Sequence, residues 1–323
     1  MVSIRQEKFL RGWLKLALMG ICLLGVLFIS ACVSSPLEGA TSFGPFEDGL
    51  APVLIGNPLT GKWGFIDHSG RIVIPPKFDS AQPFSEGLAA VETEDSKWGY
   101  IDPAGRFQIA PQFEEGASSF SEGLASVMVN RKMGFIDKKG QIAIEPRFEY
   151  VSEFKEGLAV AEQEGKYGYI DREGNFAIPP RFEGAFPFSE GLAAVKEGGK
   201  WGFINKEGTY LIPPRFQEVL PFREGLAPFK TGGNWGYIDS QGTVVIPPHF
   251  EGAGFFSEGL APVQRNGLMG YIDLKGEFVI PPRFVQALWF SEGLAVVRID
   301  QGGTDPLLMK QAVIDREGRI VMP

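Results

Sequence analysis

A tandem repeat runs through most of this chain and constrains its fold more than any other feature. A Glu-Gly-Leu tripeptide, once Asp-Gly-Leu, recurs eight times, with its glycines 38, 36 and then five times 34 residues apart. These glycines are Gly49, Gly87, Gly123, Gly157, Gly191, Gly225, Gly259 and Gly293. Self-similarity at a period of about 20–50 residues is typical of solenoids, propellers and repeat arrays. The sequence therefore predicts eight copies of one unit over residues 46–323.

Each unit contains three short apolar runs separated by turn residues. In the unit that starts at Phe188 the runs are GLAAV, WGFIN and TYLI, and the glycine-rich EGGK between the first two is typical of a hairpin. The second turn has Asp or Asn first and Gly fourth, which is the pattern of a type I turn. Pro-Pro follows the third run and is expected to end the strand. We therefore predict an all-β chain of three-stranded antiparallel units.

Apolar residues occupy both faces of these strands. In GLAAV, Leu192 and Ala194 lie on one side, and Ala193 and Val195 on the other. A small sheet with two apolar faces must be covered by its neighbours, so we expect the units to pack on one another. The glycine after each Trp is expected to let the next unit approach closely. The buried area is expected to come from the Phe of FSEG, the Trp and the Phe after Pro-Pro.

The unit, with its KWG, FID, IPP and FSEGLA segments, resembles the WG-repeat (KWG-repeat) family of tandem bacterial repeats across residues 46–323. Met133, Tyr167 and Met269 replace the Trp, and the last copy lacks the Trp-Gly pair, which affects packing only. The resemblance implies a repeat scaffold and no reaction.

Two arrangements fit eight such units: an open β superhelix, or solenoid, and a closed eight-bladed propeller-like ring. A period of 34 residues is short for a propeller unit, which has about 40–50 residues. The end units are also atypical, as the caps of an open array are. We favour the open superhelix, with the closed ring as the alternative.

Residues 1–31 are similar to a bacterial lipoprotein signal peptide. Four basic residues precede the uncharged apolar run 16–29, which is too short to cross a bilayer comfortably. The following Ile29-Ser30-Ala31-Cys32 resembles a lipobox, in which the Cys is lipid-modified and becomes the mature N-terminus. The resemblance implies lipidation of Cys32, contact with the membrane through that lipid, and a tether over residues 32–45. An uncleaved membrane anchor is the alternative.

The residue after Cys32 indicates where in the cell the protein is located. Val33 stands where an Asp would signal retention in the inner membrane of proteobacteria, so we expect an outer-membrane or cell-surface lipoprotein of the cell envelope. The net charge is −8, and loss of the basic leader makes the chain more acidic. This charge argues against nucleic acid and anionic headgroups as partners. Two Cys and two His exclude a disulfide scaffold and a Cys or His-rich metal centre, so we expect no cofactor and no metal.

Charged residues recur at fixed positions of the unit. An acidic residue precedes each repeated glycine, and the acidic residues are Asp48, Glu86, Glu122, Glu156, Glu190, Glu224, Glu258 and Glu292. The residue before the Phe that follows Pro-Pro is usually basic, as in Lys77, Arg147, Arg181, Arg215 and Arg283, with Gln112 and His249 as exceptions. We expect an ion-pair or hydrogen-bond ladder that braces the loops. A row of carboxylates that binds cations or sugars is the alternative.

The repeated Asp of the second turn has two interpretations. It occurs as Asp67, Asp102, Asp137, Asp171, Asp239, Asp273 and Asp315. Calcium requires about six to eight converging oxygens, whereas this motif supplies one carboxylate per turn. Asn205 replaces the Asp in one copy. We therefore favour a role in forming the turn.

Catalysis requires residues that differ from their copies, and none forms a recognisable set. His68 and His249 have no Ser, Asp or Cys partner in a motif, so we expect no enzyme activity.

Two apolar features occur only near the C-terminal end. Leu307, Leu308 and Met309 lie in an otherwise polar insertion, and Phe255 and Trp289 stand where other copies have Pro, Ser or Glu. Because Phe255 and Trp289 are 34 residues apart, they are expected on adjacent units. A partner-binding patch formed by these five residues is the functional interpretation. Capping of the last unit is the interpretation that we favour.

These observations favour a non-catalytic, lipid-anchored scaffold of the cell envelope that binds a protein partner. A carbohydrate-binding envelope protein is the alternative, and a hydrolase of envelope polymers is a third, less favoured possibility.

Overall fold

The computed structural model describes residues 39–114, 116–299 and 310–322. The fold described below is that of the compact unit Leu37–Pro323. The residues described in this unit form 31 β-strands in eight antiparallel sheets. Within the described ranges there is no helix long and apolar enough to cross a membrane.

Each sheet is an up-and-down meander, here called a blade. Blade 1 contains β1 (Ala40–Phe43), β2 (Leu50–Ile55), β3 (Lys62–Asp67) and β4 (Ile72–Phe78). Blade 2 contains β5 (Ser80–Ala81), β6 (Ala89–Glu92), β7 (Trp98–Ile101) and β8 (Phe107–Phe113). Blade 3 contains β9 (Leu124–Val129), β10 (Lys132–Asp137) and β11 (Ile142–Phe148). Blade 4 contains β12 (Tyr150–Val151), β13 (Ala159–Gln163), β14 (Lys166–Ile170) and β15 (Phe176–Phe182).

The other four blades follow the same order. Blade 5 contains β16 (Gly184–Ala185), β17 (Ala193–Glu197), β18 (Lys200–Ile204) and β19 (Tyr210–Phe216). Blade 6 contains β20 (Glu218–Val219), β21 (Ala227–Thr231), β22 (Asn234–Ile238) and β23 (Val244–Phe250). Blade 7 contains β24 (Gly252–Ala253), β25 (Ala261–Arg265), β26 (Leu268–Ile272) and β27 (Phe278–Phe284). Blade 8 contains β28 (Gln286–Ala287), β29 (Ala295–Ile299), β30 (Lys310–Ile314) and β31 (Ile320–Met322).

The prediction of three strands per unit is wrong for seven of the eight blades, which have four. The added first strand pairs the residues after each blade's last Phe with the next second strand, as Ser80 and Ala81 do with Glu92 and Val91. This strand has only two residues in most blades, too few for an alternating pattern to show. Blade 1 begins at β1, inside the segment 32–45 expected to be a tether.

The prolines do not end the last strand of a blade, contrary to the prediction, but form a bulge within it. In blade 5 the pairing shifts between Trp201 opposite Phe216 and Phe203 opposite Ile212, across the Pro-Pro pair. A Cβ on Gly202 would lie 2.5 Å from the Ile212 carbonyl oxygen. The glycine after the Trp therefore makes room for the bulge of its own blade, and not for the next unit as expected.

Apolar clusters join neighbouring blades. The ring of Phe203 in blade 5 packs on that of Phe222 in blade 6, with their centroids 4.8 Å apart. The equivalent aromatic pair recurs at six other junctions at 4.7–4.9 Å. Ala193, Ala194 and Val195 have no exposed surface. Both faces of the strands are thus covered by neighbouring blades, as predicted.

Blade 8 packs on blade 1 and closes the ring. Val313 and Val296 share an apolar cluster with Phe46, and the Ser291 hydroxyl donates to the Phe46 carbonyl oxygen at 2.6 Å. The all-β array of eight units is confirmed, but it forms the closed ring given as the alternative, and the preferred open superhelix is wrong. The period of 34 residues is sufficient for a propeller blade because the first strand is so short.

Candidate partner-binding site

Eight tight turns, which we call the inner turns, join the first and second strands of seven blades and precede the first strand of blade 3. In blade 5, Ser189 and Leu192 exchange two backbone hydrogen bonds, and φ is 56° at Glu190 and 78° at Gly191. Two consecutive positive φ values define a type I′ hairpin turn. The inner turns are Glu47 to Leu50, Ser85 to Leu88, Ser121 to Leu124, Lys155 to Leu158, Ser189 to Leu192, Arg223 to Leu226, Ser257 to Leu260 and Ser291 to Leu294.

The acidic residue of each inner turn accepts a hydrogen bond from the next inner turn. A Glu190 carboxylate oxygen lies 3.0 Å from the Gly225 backbone nitrogen, and Glu292 closes the circle with Gly49 at 3.1 Å. The bond occurs at every other junction too. The expected ladder is therefore present as a hydrogen-bonded ring, but its donors are backbone N–H groups of the next blade.

The basic residues before the last Phe make a different bond. The guanidinium of Arg215 donates to the carbonyl oxygen of Gly242, the last residue of the Asp turn in the next blade, at 2.8 Å. Arg147, Arg181 and Arg283 do the same. The expected ion pair between these arginines and the repeated carboxylates is therefore wrong, and both sets brace neighbouring blades through the backbone.

The repeated aspartates form turns. Asp67 accepts from the backbone N–H groups of Ser69 and Arg71 at 3.0 and 3.1 Å. The Ser69 hydroxyl bond and these N–H donors lower the pKa of Asp67 to about 2. Within the described residues, no three His, Cys, Asp or Glu side chains are grouped to hold a metal ion.

In four blades, a Lys or Arg that follows the first residue of the Asp turn binds the inner turn of the preceding blade. We call this interaction the cation brace. Lys206 Nζ donates to the Glu156 carbonyl oxygen at 2.9 Å and lies 3.2 Å from its carboxylate. Lys138, Arg172 and Arg316 make the same carbonyl bond. At ring closure, His68 Nε2 lies 2.7 Å from the Glu292 carboxylate.

The first residues of the inner turns face one another around the ring axis. Burial raises the pKa of Glu47, with further increases from Glu292 and Asp48, while Lys155 and Arg223 of blades 4 and 6 lower it. A residue of blade 1 feels charges of blades 4 and 6 because the inner turns surround a narrow centre. Five of the eight positions are Ser, so Glu47, Lys155 and Arg223 are the charged exceptions.

Phe255 and Trp289 lie on adjacent blades, as their spacing predicts. Their ring centroids are 5.0 Å apart, both side chains are half-buried, and the Arg223 guanidinium lies 4.1 Å from the Phe255 centroid. They border a cavity of about 260 Å³. We call it the apolar notch, and its side chains are Leu220, Phe255, Pro262, Met269, Leu288 and Trp289.

The structure does not test the remaining predicted residues. Leu307, Leu308 and Met309 lie outside the described residues, as do the predicted signal peptide and the lipidation site Cys32. Sequence reasoning missed Arg223, although its departure from the Ser of most copies was a usable signal. Leu220 and Leu288 were also missed, because their position varies among copies.

A family model described as WG containing repeat matches seven successive segments of the chain. The segments are 63–97, 98–132, 133–167, 167–201, 201–235, 235–268 and 269–302. No curated protein matches this chain in sequence.

Solved structures are similar to this chain in fold. The crystal structure of BamB from Moraxella catarrhalis has a TM-score of 0.51 at 9% identity, covering 80% of this chain and 93% of that one. Apo AztD from Citrobacter koseri has a TM-score of 0.44 at 13% identity, covering 87% and 92%. At such identities the likeness concerns the fold alone.

Proposed function

Because this chain belongs to the family of WG-containing repeats, we propose that it is a lipid-anchored scaffold of the bacterial cell envelope that binds a protein partner and catalyses no reaction. The anchor in this proposal is the lipid on Cys32, and the address is the outer membrane or cell surface. The lipobox-like residues 29–32 and Val33 support both statements.

The apolar notch carries the proposal of a protein partner. Arg223, Phe255 and Trp289 depart from the repeat pattern in three successive blades, and the structure brings them into contact. Leu288 at the same notch is 36% exposed. Apolar side chains rimmed by polar ones mark interaction sites, and Trp and Arg are enriched among residues that dominate binding energy at protein interfaces.

A groove between blades 3 and 4 supports the alternative of a carbohydrate ligand. It has a volume of about 600 Å³ and combines the aromatic Phe176 with Glu149, Glu162 and Asn175. An aromatic ring beside polar groups that accept and donate hydrogen bonds suits a sugar ring. Binding of an envelope oligosaccharide that is lost in Phe176→Ala would favour this function over a protein partner.

Site-specific photo-crosslinking in living cells tests the proposed function. A photoreactive phenylalanine analogue replaces Trp289 in the full chain, and the matched control carries it at Glu153, the equivalent position of blade 4. We expect a discrete protein adduct from position 289 and none from position 153. No adduct, or the same adducts from both positions, would contradict a protein partner at the notch.

A further inference from the structure

Two neighbouring inner turns next to the apolar notch lack a cation brace. The residues at the bracing position are Ser240 in blade 6 and Leu274 in blade 7. Within the described residues, the carboxylates of Glu190 and Glu224 keep only their bonds to the Gly225 and Gly259 N–H groups. Both acidic side chains are exposed.

The braced blades show what such a turn binds. In blade 4 the Glu156 turn holds the Lys206 ammonium with one carbonyl and one carboxylate oxygen, at 2.9 and 3.2 Å. The backbone of the unbraced turns is the same, since φ is 55° at Glu156, 56° at Glu190 and 55° at Glu224. Charge-assisted hydrogen bonds of this kind are stronger than neutral ones. The Glu190 and Glu224 turns are therefore preformed receptors for an ammonium or guanidinium group.

These receptors are continuous with the apolar notch. One cavity of about 450 Å³ is lined by the carboxylates of Glu190 and Glu224 and by the basic side chains of Lys155 and Arg223. Arg223 also packs on Phe255 in the notch. At the bracing position for Glu224, Leu274 is 44% exposed.

We propose that the partner presents a segment in which a Lys or Arg lies next to a bulky apolar side chain. The basic group occupies the Glu224 turn, and the apolar side chain enters the notch. The net charge of −8 favours the approach of a basic segment over an acidic one. This inference rests on the proposed function and names the chemistry of its partner.

Selection from a displayed library of random short peptides on the full chain, held in detergent micelles, tests the inference. We expect the enriched peptides to place Lys or Arg beside Leu, Phe or Trp. Leu274→Lys supplies the missing brace from within the chain and should weaken their binding about tenfold, as loss of one strong charged contact does. The matched control is Pro103→Lys, which supplies the same brace to Asp48 in blade 1 and should leave binding unchanged.

The two proposals fail in different ways. Enriched peptides that are acidic or uncharged, or that bind Leu274→Lys as tightly as the original chain, would overturn the basic segment. If such peptides still lose binding in Trp289→Ala, the notch remains a protein-binding site and only the inferred chemistry is wrong. Failure to enrich any peptide would overturn the inference, and the crosslinking experiment at position 289 would then decide the proposed function independently.

Discussion

At the scale of single residues, departures from the repeat show which positions the fold requires. Five inner turns begin with Ser, whose hydroxyl donates to a carbonyl of the next blade, as Ser85 does to Phe120 at 2.7 Å. Glu47 cannot donate this bond when it is ionised. Its carboxylate is instead partly buried near Asp48 and Glu292. Glu47 therefore opposes the stability of the ring at the place where it closes.

We expect Glu47→Ser to stabilise the protein at neutral pH by about 0.5–2 kcal/mol, the usual gain from such substitutions. In the fold the pKa of Glu47 lies above its ordinary value of 4.5. The fold therefore favours the protonated carboxyl group of Glu47. The stability that this form contributes is present below pH 4.5 and is lost as the pH rises through the folded pKa. The gain should shrink at acid pH. Urea unfolding at neutral pH and near pH 4 measures it, with Glu47→Asp as the control that keeps the charge, and a gain that grows on acidification would contradict this account.

Asp67 shows the opposite pH dependence. Its pKa is about 2 in the fold, below the ordinary value of 3.8. The stability that the ionised carboxylate gives is therefore present above the higher value and lost as the pH falls toward the lower one. We expect Asp67→Ala to lower the thermal midpoint at neutral pH, with a smaller difference near pH 2. Ala at the neighbouring exposed Ser69 tests the loss of its hydroxyl alone, and an unchanged midpoint in Asp67→Ala would show that the turn does not need the carboxylate.

At the scale of the strand, the last two strands of blades 1 to 7 depend on one close backbone contact. A Cβ added to Gly202 would meet the Ile212 carbonyl oxygen at 2.5 Å and the Pro214 nitrogen at 2.6 Å. We expect Gly202→Ala to destabilise the protein by at least about 2 kcal/mol, since overpacking against backbone is not relieved by side-chain rotation. Lys200→Ala, at an exposed position of the same strand, is the control. Equal chemical denaturation midpoints for the two variants would contradict a required bulge.

How far the sequence predicts these elements depends on how local their signals are. The turns were predictable, because Asp67 and Gly70 are adjacent in sequence to the groups that they bond. The bulge at Pro213 was not predictable. Proline lacks a backbone N–H donor and was therefore expected to end the strand, but the strand continues through a shift in register opposite Gly202. The first strand of most blades pairs only two residues with the second strand of the same blade. Such pairing has no periodicity from which it can be read.

The candidate site was predictable only in part for the same reason. The contact of Phe255 with Trp289 follows from their equivalent places in successive units. The sequence could not predict that Glu190 bonds to Gly225 or that Glu224 lacks a cation brace, because it does not show which turns of neighbouring blades face one another. The repeat gives positions within a unit, whereas the site is assembled between units.

At the scale of the whole molecule, closure fixes the relative positions of the blades that form the notch. The joint between blades 8 and 1 is made by the same kinds of contact as the interior joints, and no described strand is shared between the two blades. Closed packing on both sides of every blade holds the notch in one shape before a partner arrives. Such preorganisation reduces the entropy lost on binding.

Closure of the ring in solution can be tested by removing the same hydrogen bond from two joints, the one between blades 8 and 1 and the one between blades 5 and 6. The hydroxyl bonds of Ser291 to Phe46 and of Ser189 to Phe222 are both 2.6 Å long. We expect Ser291→Ala and Ser189→Ala to lower the free energy of unfolding by a similar amount, about 1 kcal/mol each. In an open superhelix residue 291 would face solvent at a free end, and its replacement would have no effect. A loss in Ser189→Ala without one in Ser291→Ala would therefore show that the ring opens between blades 8 and 1.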